Sequence, residues 1–456
     1  MTRAYLPMTA ADRAAMLERI GVRSADDLFR EIPASARDAS FDPSAGPSAS
    51  SGEASGRSLP PALSEPELVA ELSAMAAENT PSGALACFRG GGAYRRFVPA
   101  VVDEVIRRGE FLTCYTPYQA EVSQGTLQAI FEFQSLVCTL TGMDVANAGL
   151  YDGASALAEA CLMACRVTGR SRIALASGVN PRYARVVRTY CRHRGIAVDE
   201  VSASADGLTA DHACFALQSP DYYGRIALSG DSPSRRCQAA GALLVVSADP
   251  MSLALFRPPA EFGADIVTGE GQSLGLPLSF GGPYLGLLAA RQQLLRQMPG
   301  RIVGQTTDVD GRRGYVLTLQ TREQHIRRER ASSNICTSQQ LVALAVTVYL
   351  SCLGKAGLRQ VARLCYEKAH YAAQAIAALP GYGLVYPEDP FFQEFVVRCP
   401  RPVSGLNAAL RQRAIIGGID VSADDEPRML LCATEMNSRR EIDALAAALA
   451  EAGGRR

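Results

Sequence analysis

Lysine is nearly absent from this chain. Only Lys355 and Lys368 occur in 456 residues, and the other 44 of the 46 basic residues are arginine. Covalent catalysis through a Schiff base needs a primary amine that can lose its proton. Arginine stays protonated and cannot serve, so that chemistry is confined to two positions. Histidine is also scarce, at four residues, and the 13 cysteines contain no Cys-x-x-Cys pair, Cys161 and Cys165 being the nearest. That leaves little for a Cys/His metal site, and no metal is expected. An odd, scattered set of thiols fits a reducing compartment. Excess charge is lacking too: 46 acidic residues balance 46 basic ones, which argues against a nucleic-acid platform or a binder of anionic membranes. The first residues hold no apolar core of signal-peptide length. The longest apolar run, near Leu341–Leu353, falls short of the ~20 residues a membrane span needs and reads as a buried helix. A cytoplasmic protein that touches neither nucleic acid nor membrane is the expectation.

What is present is an ordinary globular composition, 48% hydrophobic and 20% charged, able to fill a large core. Residues 1–33 read as an N-terminal helical arm. Thr9 with Asp12, and Ser24 with Asp26 and Asp27, supply caps for two short helices. Residues 34–58 form a Ser/Gly/Pro linker by composition. Ser64-Glu65-Pro66-Glu67 is a capping box opening a helix to about Asn79. Residues 59–338 are expected to form a large α/β domain. Short apolar runs at Ile173–Ala176, Cys214–Leu217, Leu243–Ser247, Ile266–Val267 and Leu285–Ala289 alternate with helical patterns such as Arg182–His193, which argues a mostly parallel sheet with covered faces. Residues 339–456 are expected to form a smaller α+β C-terminal domain. It opens with a long helical region to about Leu379. Phe395–Arg398, a helix near Leu406–Arg413, Met429–Cys432 and a last helix at Arg439–Ala452 follow.

In open α/β sheets, ligands sit beyond the carboxyl ends of the strands. Asp249 follows the run Leu243–Ser247, where fold type I pyridoxal-phosphate (PLP) enzymes place the aspartate that pairs with the pyridine nitrogen. The lysine that should follow some two dozen residues later is missing from Thr268-Gly269-Glu270-Gly271-Gln272-Ser273-Leu274-Gly275. Gln272 stands near that place, or Ser273 with one residue of slip, and neither can form a Schiff base.

Around this gap the sequence resembles a known family. Tyr115-Thr116-Pro117-Tyr118-Gln119-Ala120-Glu121-Val122-Ser123-Gln124-Gly125 is similar to the signature of the glycine cleavage system P-protein. Gly142–Ala148, Tyr151–Ala154, Gly263–Val267, Gly269–Gly275, Phe280–Pro283, Gln320–Arg328 and Ser333–Thr337 continue the likeness over nearly the whole chain outside residues 34–58. The likeness is to the alpha-type chain, subunit 1 of the glycine dehydrogenase (decarboxylating) that is divided over two chains. It implies a PLP-transferase fold of type I. It also implies a partner, subunit 2, which carries the lysine and holds PLP covalently. The joint activity would be decarboxylation of glycine with transfer of the aminomethyl group to the lipoyl arm of the H-protein. The resemblance further implies an assembly of two alpha and two beta chains, with this chain alone inactive.

No residue of this chain is expected to be catalytic by itself. Tyr115, Thr116, Tyr118, Gln119, Glu121 and Gln124 form a polar and aromatic patch that can line a cleft or an interface. Tyr94, Tyr151, Asp249 and Asn334 are further candidates for an active-site wall. Asp249 can equally cap its own turn, and Asp152 reads as the cap of a helix starting near Ala154. Asp152 also argues against a phosphate cup there. Phe88–Arg96 is glycine-rich but lacks the ending of a P-loop; arginines at 95 and 96 stand where the family usually carries a histidine, and could hold an anion. Arg322, His325, Arg327 and Arg328 read as a cationic cluster, solvated or docking an acidic partner. Neither lysine follows a strand. Two rival readings are a non-catalytic regulatory or binding homologue of a fold type I enzyme, and a stand-alone PLP enzyme using one of the two lysines.

Overall fold

Runs of apolar residues with no polar alternation form the centre of the protein, because a strand covered on both faces has no solvent side. The computed structural model describes residues 8–33, 36, 62–228, 230 and 232–454. Seven strands make the main sheet: β1 (Val145–Ala146), β2 (Arg172–Ala176), β3 (Ala197–Val201), β4 (Cys214–Ser219), β5 (Leu243–Ala248), β6 (Ile266–Glu270) and β7 (Gly286–Ala290). Their order is β1-β7-β6-β5-β4-β2-β3. All neighbours are parallel except at β7, which runs antiparallel to both β6 and β1. The expected mostly parallel sheet is therefore present. Five of its strands coincide with the apolar runs.

The helix α5 (Gly153–Thr168) packs against β4–β7. It is built from Ala, Cys, Leu and Met, and its residues from Ser155 to Cys165 are all buried. Asp152 caps it as expected, its Oδ1 accepting from Ser155 N at 2.8 Å. The helix α6 (Pro181–Arg192) lies beside α5 and buries Ala184, Val187 and Cys191. A hairpin of β8 (Ile302–Thr307) and β9 (Arg313–Thr318) stands apart from the main sheet and packs on helix α4 (Gln124–Thr141).

The helix α8 (Gln340–Ala377) is 38 residues long. It is apolar enough to pass a length-and-composition test for a membrane span. However, Ala343–Thr347, Tyr349 and Leu350 are buried, so this apolar face belongs to the core. Gly354, at φ +59°, breaks it in the middle, where the sequence suggests a break around Lys355. The second half covers an antiparallel sheet of β10 (Gly383–Leu384), β11 (Glu394–Arg398), β12 (Ile419–Asp420) and β13 (Arg428–Cys432), together with helices α9 (Val403–Arg411) and α10 (Arg439–Gly454). Phe395, Val397, Met429, Leu431, Leu445 and Leu449 join Ile376 in a separate core cluster there.

Two compact units divide the chain after Pro81. The first contains α1 (Ala10–Ile20), a short 3-10 turn at Ala25–Phe29 and α2 (Glu65–Ala77). Each opens with a capping box, at Thr9/Asp12 and Ser24/Asp27 where caps were expected and at Ser64/Glu67 where the box itself was. None of the three contains a buried residue. The linker at 34–58 lies, apart from residue 36, outside the described residues.

Candidate functional site

The strands β4, β5 and β6 end side by side, and a small cavity opens beyond their carboxyl ends. Tyr94, Tyr183, Gln218, Asp249, Glu270 and Glu394 are among its walls. It leaves about 40 Å³ for solvent, room for two to four waters and far below the ~300 Å³ of a small ligand pocket.

Three carboxylates face this space, and each is held by neutral donors. Asp249 Oδ1 accepts from Met251 N (3.0 Å) and Ser273 Oγ (3.3 Å), and Oδ2 from Gln393 Nε2 (2.8 Å). Asp249 thus caps its own turn and also lines the cavity. Glu394 lies on β11. Its Oε1 accepts from Gly91 N at 2.6 Å and its Oε2 from Tyr94 Oη at 2.8 Å. A Cβ on Gly90 would stand 2.1 Å from Glu394 Oε1, so the glycine-rich stretch is the bed of an internal carboxylate and not a phosphate loop. Glu270, at the end of β6, takes Gly153 N, Gln272 N and Leu285 N. Burial raises the Asp249 carboxyl and pushes Glu270 and Glu394 up to about 7, against the pull of the N–H and O–H groups on each.

Gln272 is completely buried. Its Oε1 accepts from Tyr94 N (2.8 Å), and its Nε2 donates to Tyr94 O (2.8 Å) and Leu276 O (2.9 Å). The amide therefore stitches the turn after β6 to the glycine-rich stretch. Neither lysine lines the cavity. Lys368 Nζ donates to Glu435 O, and Lys355 is exposed at the α8 break. The residues present do not fit a covalently held PLP: the primary amine is missing, the space is small and its walls carry the carboxylates Glu270 and Glu394 besides Asp249.

The arginines at 95 and 96 both bind groups of the protein itself, and for Arg96 one of these is an anion, the Glu435 carboxylate. Arg96 is buried, and its guanidinium donates to Glu435 Oε2 (2.7 Å), Gln393 Oε1 (2.6 Å) and Cys365 Sγ (2.9 Å). Burial pushes the Glu435 carboxyl up, but the Arg96 charge together with hydrogen bonds from Phe97 N, Arg96 and its own N–H outweighs it, and the net shift is downward. Arg95 donates to Leu85 O. A relay Glu435–Arg96–Gln393–Asp249 thus ties the C-terminal sheet to the cavity.

The other predicted wall residues lie away from the cavity. Gln124 exchanges two 2.8 Å bonds with the backbone of Tyr315, fixing the β8–β9 hairpin on α4. Tyr118 Oη accepts from Arg301 (3.2 Å), and its ring meets His325 edge-on. Tyr115 is 75% exposed. Gln119, Glu121 and Asn334 are exposed too, and Thr116 partly so. Tyr151 Oη accepts from Cys336 N at 3.4 Å. The cationic cluster divides: Arg327 and Arg328 are exposed, while Arg322 is partly buried and donates to Met298 O, Gly300 O and Leu319 O. Glu270 and Glu394 were not singled out from sequence. A carboxylate directly after a buried strand was a usable signal for Glu270. Nothing in the sequence pairs Glu394 with Gly91, 303 residues earlier.

Comparison with known proteins agrees with this geometry. The family model "Glycine cleavage system P-protein" matches residues 3–449. The probable glycine dehydrogenase (decarboxylating) subunit 1 of Thermomicrobium roseum is 51% identical, over 98% of this chain and 99% of that one. A crystal structure of glycine decarboxylase (P-protein) in inhibitor-bound form has a TM-score of 0.87 at 40% identity, covering 98% of this chain and 99% of that chain. The C-DES structure with glycine covalently linked to the PLP cofactor shares the fold, with a TM-score of 0.59 at 14% identity over 80% of this chain and 96% of that one. A sheet whose carboxyl ends hold an aspartate but no lysine, and a match that runs end to end, lead to one conclusion: the chain belongs to the glycine cleavage system P-protein family.

Proposed function

We propose that this chain is the alpha-type subunit of a two-chain glycine dehydrogenase (decarboxylating). It works with a lysine-bearing subunit 2, which holds PLP covalently. Together they decarboxylate glycine and pass the aminomethyl group to the lipoyl arm of the H-protein in the cytoplasm. The "subunit 1" in the names of its relatives implies a second chain. The observation that carries the reading is Gln272: where the fold calls for an amine, a buried amide makes three hydrogen bonds to the chain itself. PLP supplies an electron sink for carbanion chemistry when bound. The exposed segment with Tyr115, Thr116, Tyr118, Gln119 and Glu121, and the exposed Asn334, are the surface this chain offers to the partner's active site. Gln124 and Tyr151 hold that surface in place. Two alpha and two beta chains make the working assembly.

The test is an absorption spectrum with PLP, before and after borohydride, for this chain alone and mixed with subunit 2. Only the mixture should show a reducible chromophore and release carbon dioxide from glycine. A reducible chromophore on this chain alone would sink the proposal. Sedimentation of the mixture measures the stoichiometry.

A further inference from the structure

The missing lysine explains why PLP is not held covalently here. It does not explain how the cavity rejects a phosphorylated molecule bound without a covalent bond. The donors around the cavity bear on that. Three backbone N–H groups from three different segments converge on one carboxylate. Gly153 N, the first residue of the 16-residue helix α5, donates to Glu270 Oε2 at 2.9 Å. Gln272 N, in the turn after β6, and Leu285 N, just before β7, donate to Oε1 at 3.0 and 3.1 Å. Converging N–H groups that include a helix N-terminus form an anion seat. This seat is filled by the protein's own side chain. The second helix that starts at the cavity is closed in the same way: Asn180 Oδ1 takes Arg182 N at 3.0 Å, and Gln218 Oε1 takes Asn180 N at 2.9 Å.

We propose that Glu270 is a resident anion that occupies an anion seat formed by Gly153, Gln272 and Leu285, and that this seat, flanked by the carboxylates of Asp152, Asp249 and Glu394, makes the chain refuse phosphorylated ligands independently of the missing lysine. The seat accepts a carboxylate and rejects a phosphate. Asp152 Oδ1 caps the same helix end, and Asp249 and Glu394 line the same cavity. A doubly charged phosphate would meet three negative or negatively polarised neighbours. A small monoanion that replaces the lost carboxylate adds no charge beyond that of the native side chain. The inference stands on the cavity alone. Its readouts involve neither subunit 2 nor glycine turnover, so it can fail while the two-chain reading holds, and the reverse.

The experiment is chemical rescue in the full chain. Glu270→Ala should lower the melting temperature. Formate should recover most of the drop in a saturable way, while chloride at equal ionic strength and inorganic phosphate should not. The unaltered chain should respond to none of the three and should retain no pyridoxal phosphate on dialysis. A Glu270→Ala variant indifferent to formate overturns the proposal. So does stabilisation of the unaltered chain by phosphate, or its retention of pyridoxal phosphate. If Glu270→Ala is insoluble, the unaltered chain decides. With glycine and leucine labelled, the amide protons of Gly153 and Leu285 should shift together on one titration curve as Glu270 gains its proton. Independent or flat responses would overturn the assignment.

Discussion

Glu394→Gln is the substitution whose outcome is most constrained by the geometry. The introduced amide has the shape of the protonated acid. Its oxygen can accept from Gly91 N, and its nitrogen can donate to Tyr94 Oη, the two partners at 2.6 and 2.8 Å in the native chain. Burial pushes the native carboxyl from 4.5 to about 7. At about 1.4 kcal/mol per pH unit, ionising this group in the folded chain costs about 3 kcal/mol more than in the unfolded one. A carboxyl raised on folding contributes stability that is present below pH 4.5 and lost as pH rises through about 7. Between about pH 5.5 and about pH 8 the native chain should therefore lose about 2 kcal/mol through this one group. The variant should not lose it. Asp249 and Glu270 titrate in both proteins, so the difference between the two urea unfolding free energies isolates residue 394. That difference should move in the variant's favour by about 2 kcal/mol across the window. An unchanged difference would refute the reasoning, because it would mean that the carboxylate stays ionised when buried.

Three further outcomes follow from the same contacts. Gln272→Ala leaves Tyr94 N, Tyr94 O and Leu276 O without their buried partner and should destabilise the chain by about 4 kcal/mol, since an unmet buried group costs ~1–3 kcal/mol; a loss below ~1 kcal/mol on urea unfolding would argue against the stitching role. Arg96→Met strands Glu435 and should cost ~3–5 kcal/mol, with Arg96→Met/Glu435→Gln recovering part of it; additive losses in the double variant would show that the pair is not coupled. If the exposed Arg327 and Arg328 dock the acidic partner, Arg327→Glu with Arg328→Glu should weaken H-protein binding, and the deficit should shrink as salt screens it; unchanged affinity in calorimetry would leave the pair a solvated face.

The sequence carried the large sheet well where strands are buried on both faces. Leu243–Ser247 and Ile266–Val267 read as apolar runs because neither side of these strands meets water. It carried the edges poorly. The edge strand Ala197–Val201 is interrupted by the adjacent Asp199 and Glu200, and it pairs with β2 on one side. The hairpin at 302–318 is half Thr, Gln, Gly and Arg, and Gln124 of another element fixes it. The helix caps were legible because a cap lies within three or four residues of its donor. The site was legible only where it is local. Asp249 follows from a strand end and its own turn. Arg96 was legible as a residue able to hold an anion, but not which one, because Glu435 lies 339 residues away.

The same separation explains why a lysine-less cavity needs no cofactor to stay closed. Its buried polar groups are satisfied in pairs that join distant segments: Glu394 with Gly91 and Tyr94, Gln272 with Tyr94 and Leu276, Glu270 with Gly153 and Leu285. Removing a bound molecule from a polar cavity leaves donors and acceptors unmet, each at ~1–3 kcal/mol. Here the side chains that line the cavity meet those demands themselves. Tyr94 accounts for much of this, since its backbone holds Gln272 and its hydroxyl holds Glu394. Tyr94→Phe should therefore leave the backbone stitch to Gln272 intact and free only Glu394 Oε2. That raises the carboxyl further, because one of the two donors that favour its ionised form is gone. The loss of stability with rising pH should then be completed at a higher pH in Tyr94→Phe than in the native chain, while Glu394→Gln/Tyr94→Phe should show no contribution from residue 394 at any pH. A Tyr94→Phe profile that superimposes on the native one would mean that the hydroxyl does not govern the carboxylate it touches.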